Sequence, residues 1–586
     1  MVSLSCVVSC QSVGMNERTV DATDPGDAVA LVAIFGLVWL LGSVWAGAWL
    51  AARLSGGSLG VGFPESFGVL MRLRAHMSNP AASWPSPAAE VLPGPWALWS
   101  CTALVGIPAP ALALVVVAKR TRARFGLVER VRLGVPVDAR MASVDDLAPL
   151  YVTTKPTGRF VFGRAHGRVV GTEAPGPVVR SGYRAARGSL MAVGPSQCGK
   201  TTMAIGGIVR WDGPAILSSV KTDLLTATLS ARGKAGECKV FDPTGITGQP
   251  TASWSPLRGA RLVDGAQAAA RALVDCAPRS GDADVFWFQE AEMVLAGYMW
   301  LAANTERQMV DVVRWVFTQD GGTGDGEVEP LLLALLDPTD PELAGEAMVV
   351  AEFLGGMWNL EGSMRASVFG TAQAAVWPWT SPKVVASSGA CEIDLDWLLS
   401  GANTVYACAP LRAAKRLAPA LGGLIGDLLE QVAEHCARTG RPLDPPLLLV
   451  LDEVGNTPLR DLPELVSTLA GLGVQIVTIW QSVAQIKAAY KEQAGTIIAN
   501  HRTMLFYSGI RDPDTYDLAT RLVGDEEIVN RQLTTDLAVG GSSGRQSVVE
   551  STMTSTLVPG HVLRQQPAGS ALCIHGNLPP IELRAL

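Results

Sequence analysis

A chain of 586 residues exceeds what one hydrophobic core organises, so two or three domains are expected. Its net charge of −7 excludes a globally basic nucleic-acid binder and leaves any such contact to a local basic patch or to a pore made by assembly. The 10 cysteines form no C-x-x-C pair and no metal-ligand spacing with histidine, which argues against zinc sites and against a disulfide scaffold.

Residues 1–27 read as an N-terminal tail; residues 1–14 are small and featureless, and Met15 is an alternative start. Ala28 to Ala52 then carries no charge. About 20 apolar residues span a bilayer, so this stretch is long enough to cross one. Trp39, Trp45 and Trp49 fall in its second half, where an interfacial aromatic belt sits. It is too long for a cleaved signal peptide and lacks a basic leading region. A second uncharged stretch, Gly94 to Ala118, contains Pro108 and Pro110, which predict a kink. Lys119, Arg120, Arg122 and Arg124 follow it and mark the cytoplasmic side, against a weaker opposite signal from Arg53, Arg72 and Arg74 in the intervening loop. The expectation is a membrane anchor over 28–124 with two transmembrane helices, 28–52 and 94–118. Both termini then face the cytoplasm, and the chain is multi-pass in the inner (plasma) membrane. A buried core hairpin is the competing reading.

From Tyr151 to Pro177 a Gly- and Val-rich stretch reads as a β-hairpin. Next comes Gly194-Pro195-Ser196-Gln197-Cys198-Gly199-Lys200-Thr201-Thr202, which fits the phosphate-binding loop: Gly, four residues, Gly-Lys, then Ser or Thr. The apolar Ser189–Val193 before it reads as a buried strand, and Met203–Arg210 after it as a helix start. That strand–loop–helix context separates the motif from a chance match. Such a loop turns backbone N–H groups and a helix N-terminus toward one anion. Lys200 would reach the β- and γ-phosphates of ATP, and the Thr201 hydroxyl would ligate Mg2+. Cys198 reads as a small residue tolerated in the loop rather than as a redox switch.

Further buried strands are expected at Ala215–Ser219, Lys239–Phe241, Thr404–Cys408, Leu447–Leu451, Val474–Trp480 and Thr503–Tyr507, mostly separated by helical patterns. That alternation predicts an α/β fold with a mostly parallel sheet and helices on both faces. Between Arg261 and Pro382 the strand signal fades, and Phe286–Ala303 and Glu306–Phe317 look helical, which predicts an all-α insert over 261–382. The motor domain is then 125–260 with 383–586. Asp461-Leu-Pro-Glu464 resembles a helix start, followed by Leu462, Leu465, Leu469 and Leu472 on one face and a stop at Gly473.

The apolar run Pro446–Leu451 ends in Asp452 and Glu453, the Walker B pattern. A buried strand delivers both acids to the C-terminal edge of the sheet, beside the phosphate loop. Asp452 is expected to hold the Mg2+ shell and Glu453 to polarise the attacking water as general base. Gln481 directly follows the next strand and is positioned to report on the γ-phosphate or the water; an ordinary cap residue is the alternative. Arg502 precedes another strand. Its two readings are an arginine finger reaching a neighbouring subunit and a structural or surface arginine.

These segments together resemble the type IV secretion coupling proteins, the TraG-like conjugative DNA-transfer ATPases. The resemblance is carried by SLMAVGPSQCGKTT around the loop and by Ile216 to Arg232, with its Lys221-Thr222-Asp223 step. It continues through Val240 to Leu257, through Leu451 to Tyr490 and the ANHRTMLFYSG segment, and through the tail from Leu557. It covers most of 181–586 and implies a membrane-anchored homohexamer with a RecA-like P-loop NTPase motor domain. The all-α domain would face the cytoplasm and recognise a relaxase–DNA substrate, which ATP hydrolysis would drive into the type IV secretion channel. The family pattern often continues into a long acidic tail, whereas this chain stops at Leu586, so docking through such a tail is not carried over. Two alternatives stay open: a related motor with other cargo, either FtsK-like or protein-only, and a membrane receptor that docks substrate without hydrolysing nucleotide.

Overall fold

The computed structural model describes residues 25–124, 131–152, 156–173, 188–278, 285–321, 325–336, 340–456, 459–535 and 546–586. The chain divides into two compact units, 1–137 and 138–586. Parts of the expected hairpin segment, at 153–155 and 174–177, lie outside the described residues, as does most of the N-terminal tail.

In the first unit, the first apolar stretch is one helix, Pro25–Leu54. The second is broken into Pro95–Gly106 and Pro108–Arg124. The break is a proline effect. Pro110 has no N–H to give to the Gly106 carbonyl, four residues back, and the indole of Trp39 on the first helix donates to that carbonyl instead, at 3.1 Å. Ile34–Leu54 and Pro95–Val116 are long and apolar enough to cross a membrane, by length and composition.

The second unit is built on strands β1 (Val161–Ala165), β2 (Arg168–Gly171), β3 (Leu190–Val193), β4 (Ala215–Ser219), β5 (Cys238–Phe241), β6 (Thr404–Cys408), β7 (Leu447–Leu451), β8 (Val474–Trp480), β9 (Thr503–Tyr507), β10 (Asp525–Thr535), β11 (Gln546–Thr556), β12 (Ser570–His575) and β13 (Ile581–Arg584). Among the described residues, eleven of these form one sheet in the order β2-β1-β13-β12-β9-β3-β8-β7-β4-β6-β5. From β9 to β5 every neighbouring pair is parallel. At the other side the sheet is antiparallel, closed by β12, β13 and the β1–β2 hairpin. The hairpin turns at His166 and Gly167, both at positive φ. The ribbon β10–β11 stands apart as a separate two-stranded sheet and has no counterpart among the expected strands.

Strand period decides where the core lies. Met191 and Val193 of β3, Ile216 of β4 and Leu447, Leu449 and Leu451 of β7 face one buried cluster, which the insert completes with Trp300, Trp315 and Phe369. Leu190 and Ala192, Leu217, and Leu448 and Val450 face the other cluster, with Phe160, Met203 and Ile208. Burial on both faces is why these strands read as unbroken apolar runs. Among its described residues, the insert between β5 and β6 holds helices and no strand, from Val263–Asp275 to Leu395–Leu399. Two of its buried indoles pair with carboxylates: Trp300 Nε1 donates to Glu346 Oε2 at 2.8 Å and Trp315 Nε1 to Glu327 Oε2 at 3.2 Å.

Two contacts fix the site-bearing elements. On helix Lys200–Arg210, Gly207 lies so close to β1 that an added Cβ would sit 2.3 Å from the Phe160 ring and 2.7 Å from the Val161 carbonyl. On helix Asp223–Ala235, the buried guanidinium of Arg232 donates to the carbonyls of Trp211, Gly213 and Ala402 and to the Thr404 hydroxyl. It thereby ties the entries of β4 and β6 to that helix. Arg232→Met leaves those acceptors buried without donors and is expected to destabilise the fold by about 3 kcal/mol. The check is the denaturant unfolding midpoint of the full chain in detergent micelles; an unchanged midpoint would mean that water replaces the guanidinium.

Candidate nucleotide-binding site

β3 is fully buried and ends at Gly194, whose N–H donates to the Trp480 carbonyl of β8 at 3.3 Å. The chain then leaves the sheet through residues that only a tight loop uses. Gln197 has φ 64° and Gly199 has φ 109°. A side chain at Gly199 is disfavoured by that backbone and would also be 3.3 Å from Gly569 Cα. Gly199 caps helix Lys200–Arg210 without a side-chain acceptor, so the first-turn N–H groups stay available for an anion. Tyr507, at the end of β9, packs under the loop against Gly194 and Gly199.

Lys200 is buried, and its Nζ donates to the carbonyls of Gly194 at 2.5 Å and Pro195 at 2.6 Å, with Cys198 Sγ at 3.6 Å. Burial pushes the Lys200 ammonium pKa down; Cys198 and then the carboxylates of Asp452 and Glu453 oppose that shift. Those carboxylates reach it across an intervening strand. β8 lies between β3 and β7, pairing Thr478 with both Met191 and Leu451. Asp452 therefore leaves the sheet two strand spacings, roughly 10 Å, from the loop strand, with Gln481 emerging between them.

Asp452 is buried, its N–H donates to the Ser218 carbonyl at 2.9 Å, and its Oδ2 accepts from Ser219 Oγ at 3.0 Å. Burial pushes its pKa up, with the Ser219 hydrogen bond working against that. Glu453 has φ 55°, a left-handed backbone rare for a non-glycine residue. Its carboxylate accepts from Lys221 Nζ in an ion pair. Thr201 and Asp452 supply hard oxygen donors, the chemistry Mg2+ prefers when it keeps waters and phosphate oxygens as its other ligands. No cluster of three or more His, Cys, Asp or Glu that could hold a metal by itself occurs among the described residues.

Gln481 is exposed, and the next helix is capped by Ser482, whose hydroxyl accepts from the Gln485 N–H at 3.2 Å. The Gln481 N–H donates to Gln485 Oε1 at 3.0 Å. The same Gln485 side chain lies against Gly455, where an added Cβ would be 2.2 Å from Nε2. Gln485 thus ties Gln481 to the turn that follows Glu453. Reading the chain alone does not single out Gln485, Ser219 or Tyr507, because each acts through a neighbour distant in sequence. Lys221 enters the sequence reading only through the Lys221-Thr222-Asp223 step of the family resemblance.

Arg502 is not brought to the loop. It stands at the start of β9, opposite the N-terminal end of β3, a strand length of about 17 Å from the edge that carries the loop. There it pairs with Glu173 at 2.6 Å, its side chain running between Gly188 and Gly576. This local pairing fits the structural reading of Arg502 within its own chain.

A glycine loop on a helix N-terminus, set one strand away from paired carboxylates on a mostly parallel sheet, defines a RecA-like P-loop NTPase fold. The chain belongs to the family described as type IV secretory system conjugative DNA transfer, whose model matches residues 161–586. Its fold is that of solved structures of the bacterial conjugative coupling protein TrwB. The unbound monoclinic form of TrwBΔN70 is 16% identical, with a TM-score of 0.53 over 78% of this chain and 95% of that one. TrwB in complex with ADP and Mg2+ gives 16%, 0.52, 76% and 93%. The complex with the non-hydrolysable ATP analogue ADPNP gives 17%, 0.51, 78% and 96%. No curated protein sequence matches this chain.

Gly199→Ala forces an L-residue into the left-handed loop position. It is expected to weaken binding of a fluorescent ATP analogue by at least about tenfold; affinity equal to the parent would show that the loop is not the phosphate site.

Proposed function

We propose that this chain is a membrane-anchored ATPase that couples ATP hydrolysis to transfer of a relaxase–DNA complex into a type IV secretion channel. The observation that carries the reading is the placement of Lys200, Asp452 and Glu453 at the same edge of the sheet, with β8 between them, within a chain that belongs to the conjugative DNA-transfer family over 161–586. The nucleotide complexes of the related fold TrwB support ATP with Mg2+ as the bound species. The apolar helices support anchoring; we place the anchor at the inner membrane, as a two-span segment with the motor domain cytoplasmic. A homohexamer would give an acidic chain the enclosed DNA path that its net charge denies to the monomer.

The residues divide the work as follows. The loop from Gly194 to Thr202 cradles the phosphates with backbone N–H groups. Lys200 leaves its own loop carbonyls and pairs with the β- and γ-phosphates, a partner that burial makes strongly favourable. Thr201 and Asp452 would hold Mg2+, which would supply neutralising charge at the phosphate oxygens. Glu453 accepts the proton of the attacking water, and Gln481 orients that water or the γ-phosphate. Within its own chain Arg502 stands too far from the loop to take part in this chemistry.

Lys200→Ala is expected to abolish nucleotide binding, and Glu453→Gln to keep binding while turnover falls by at least about a hundredfold. A phosphate-release assay with analogue titration separates the two, and near-parent turnover in either variant removes that residue's role. If DNA is the cargo, the full chain in detergent micelles binds DNA with an affinity that drops steeply as salt rises. Salt-independent binding, or none, redirects the reading to a protein cargo.

A further inference from the structure

Work as a base requires the Glu453 carboxylate to turn toward a water beside the phosphates, yet in this structure Lys221 holds that carboxylate. The fold makes the contact specific. β4 and β7 are adjacent and parallel, with Ser218 opposite Leu451, so the residues that follow them leave the sheet side by side. The Lys221 backbone is pinned there, because its N–H donates to Ser219 Oγ at 3.2 Å. That same hydroxyl donates to Asp452 Oδ2 at 3.0 Å. One serine therefore sets both the metal-binding carboxylate and the start of the turn that carries the lysine into helix Asp223–Ala235. Opposite it, Glu453 adopts its left-handed backbone at φ 55°, a conformation that persists only where its surroundings hold it. The two partners also differ in access: the Lys221 side chain is 47% exposed and that of Glu453 13%.

We propose that Lys221 is a positioning residue that restrains Glu453, keeping the carboxylate off the attacking water until the ammonium is drawn away. The half-exposed ammonium is open to a phosphodiester backbone, so nucleic-acid cargo releases the base by taking its partner. Hydrolysis then follows cargo binding and does not run idle. The inference rests on the reading of Glu453 as the general base.

The test is steady-state ATP turnover by the full chain in detergent micelles, with and without added DNA, beside titration with a fluorescent non-hydrolysable ATP analogue. Lys221→Met and Lys221→Gln are expected to raise DNA-free kcat by about two- to fivefold, the range that a partly exposed ion pair holds. Added DNA then raises it no further, and analogue affinity shifts by less than about twofold. Lys221→Arg keeps the ion pair and behaves as the parent, which a merely structural role would not require. DNA-free kcat at or below the parent value in both variants overturns the restraint. Glu453→Gln measured alongside separates the two ideas: full turnover in that variant sinks the base assignment, whereas an inactive Glu453→Gln with no gain in the Lys221 variants sinks only the restraint.

Discussion

Opposite charges held in dry surroundings at one edge of a parallel sheet are the constraint on which the rest of this structure depends. Burial works against the ammonium of Lys200 and the carboxylate of Asp452 alike, and each opposes the other's shift. Charges so placed are tolerable only when partners stand close by. A parallel sheet supplies that closeness cheaply, since all of its strands release their chains at the same edge. Strand order does the remainder: with β8 between β3 and β7, the loop and the acids are far enough apart to hold a phosphate group between them and near enough to feel one another.

That edge is rigid for reasons that lie away from it. The loop helix is pressed onto β1 at Gly207, and the next helix is tied by Arg232 to the segments that enter β4 and β6. A second layer then orients the acids. Ser219 holds Asp452, Lys221 holds Glu453, and Gln485 bridges the backbone at Gln481 to Gly455. The polar contacts of Ser219 and Lys221 thus join the ends of β4 and β7, with Gln485 packed beside them.

Reading the chain alone located the fold well where the physics is local. Strands buried on both faces stand out as apolar runs, and β4, β6, β7, β8 and β9 fall where those runs predict them. The glycine loop is legible because its backbone angles need its residues. The helix after Asp461 runs over Leu462–Thr468, tightens to a 3-10 turn over Leu469–Leu472 and is capped by Gly473, whose φ is 82°. The β10–β11 ribbon is not legible as strands in the sequence because its segments, Asp525–Thr535 and Gln546–Thr556, are mostly polar and form no apolar run. The two readings of Arg502 stay open in the sequence for a related reason: its place next to a strand is visible there, but which end of the sheet that strand begins from is not.

The sequence by itself determined the chemistry on offer: a phosphate loop, two acids after a buried strand, two apolar helices, and the order of segments that marks the family. Only the tertiary structure decided which groups meet. It set β8 between the loop and the acids, gave Arg502 to Glu173 at the far edge, and put Lys221 on Glu453, 232 residues away in sequence. The physical reason is that residue type and spacing determine what a side chain can do, whereas sheet order determines what stands within its reach.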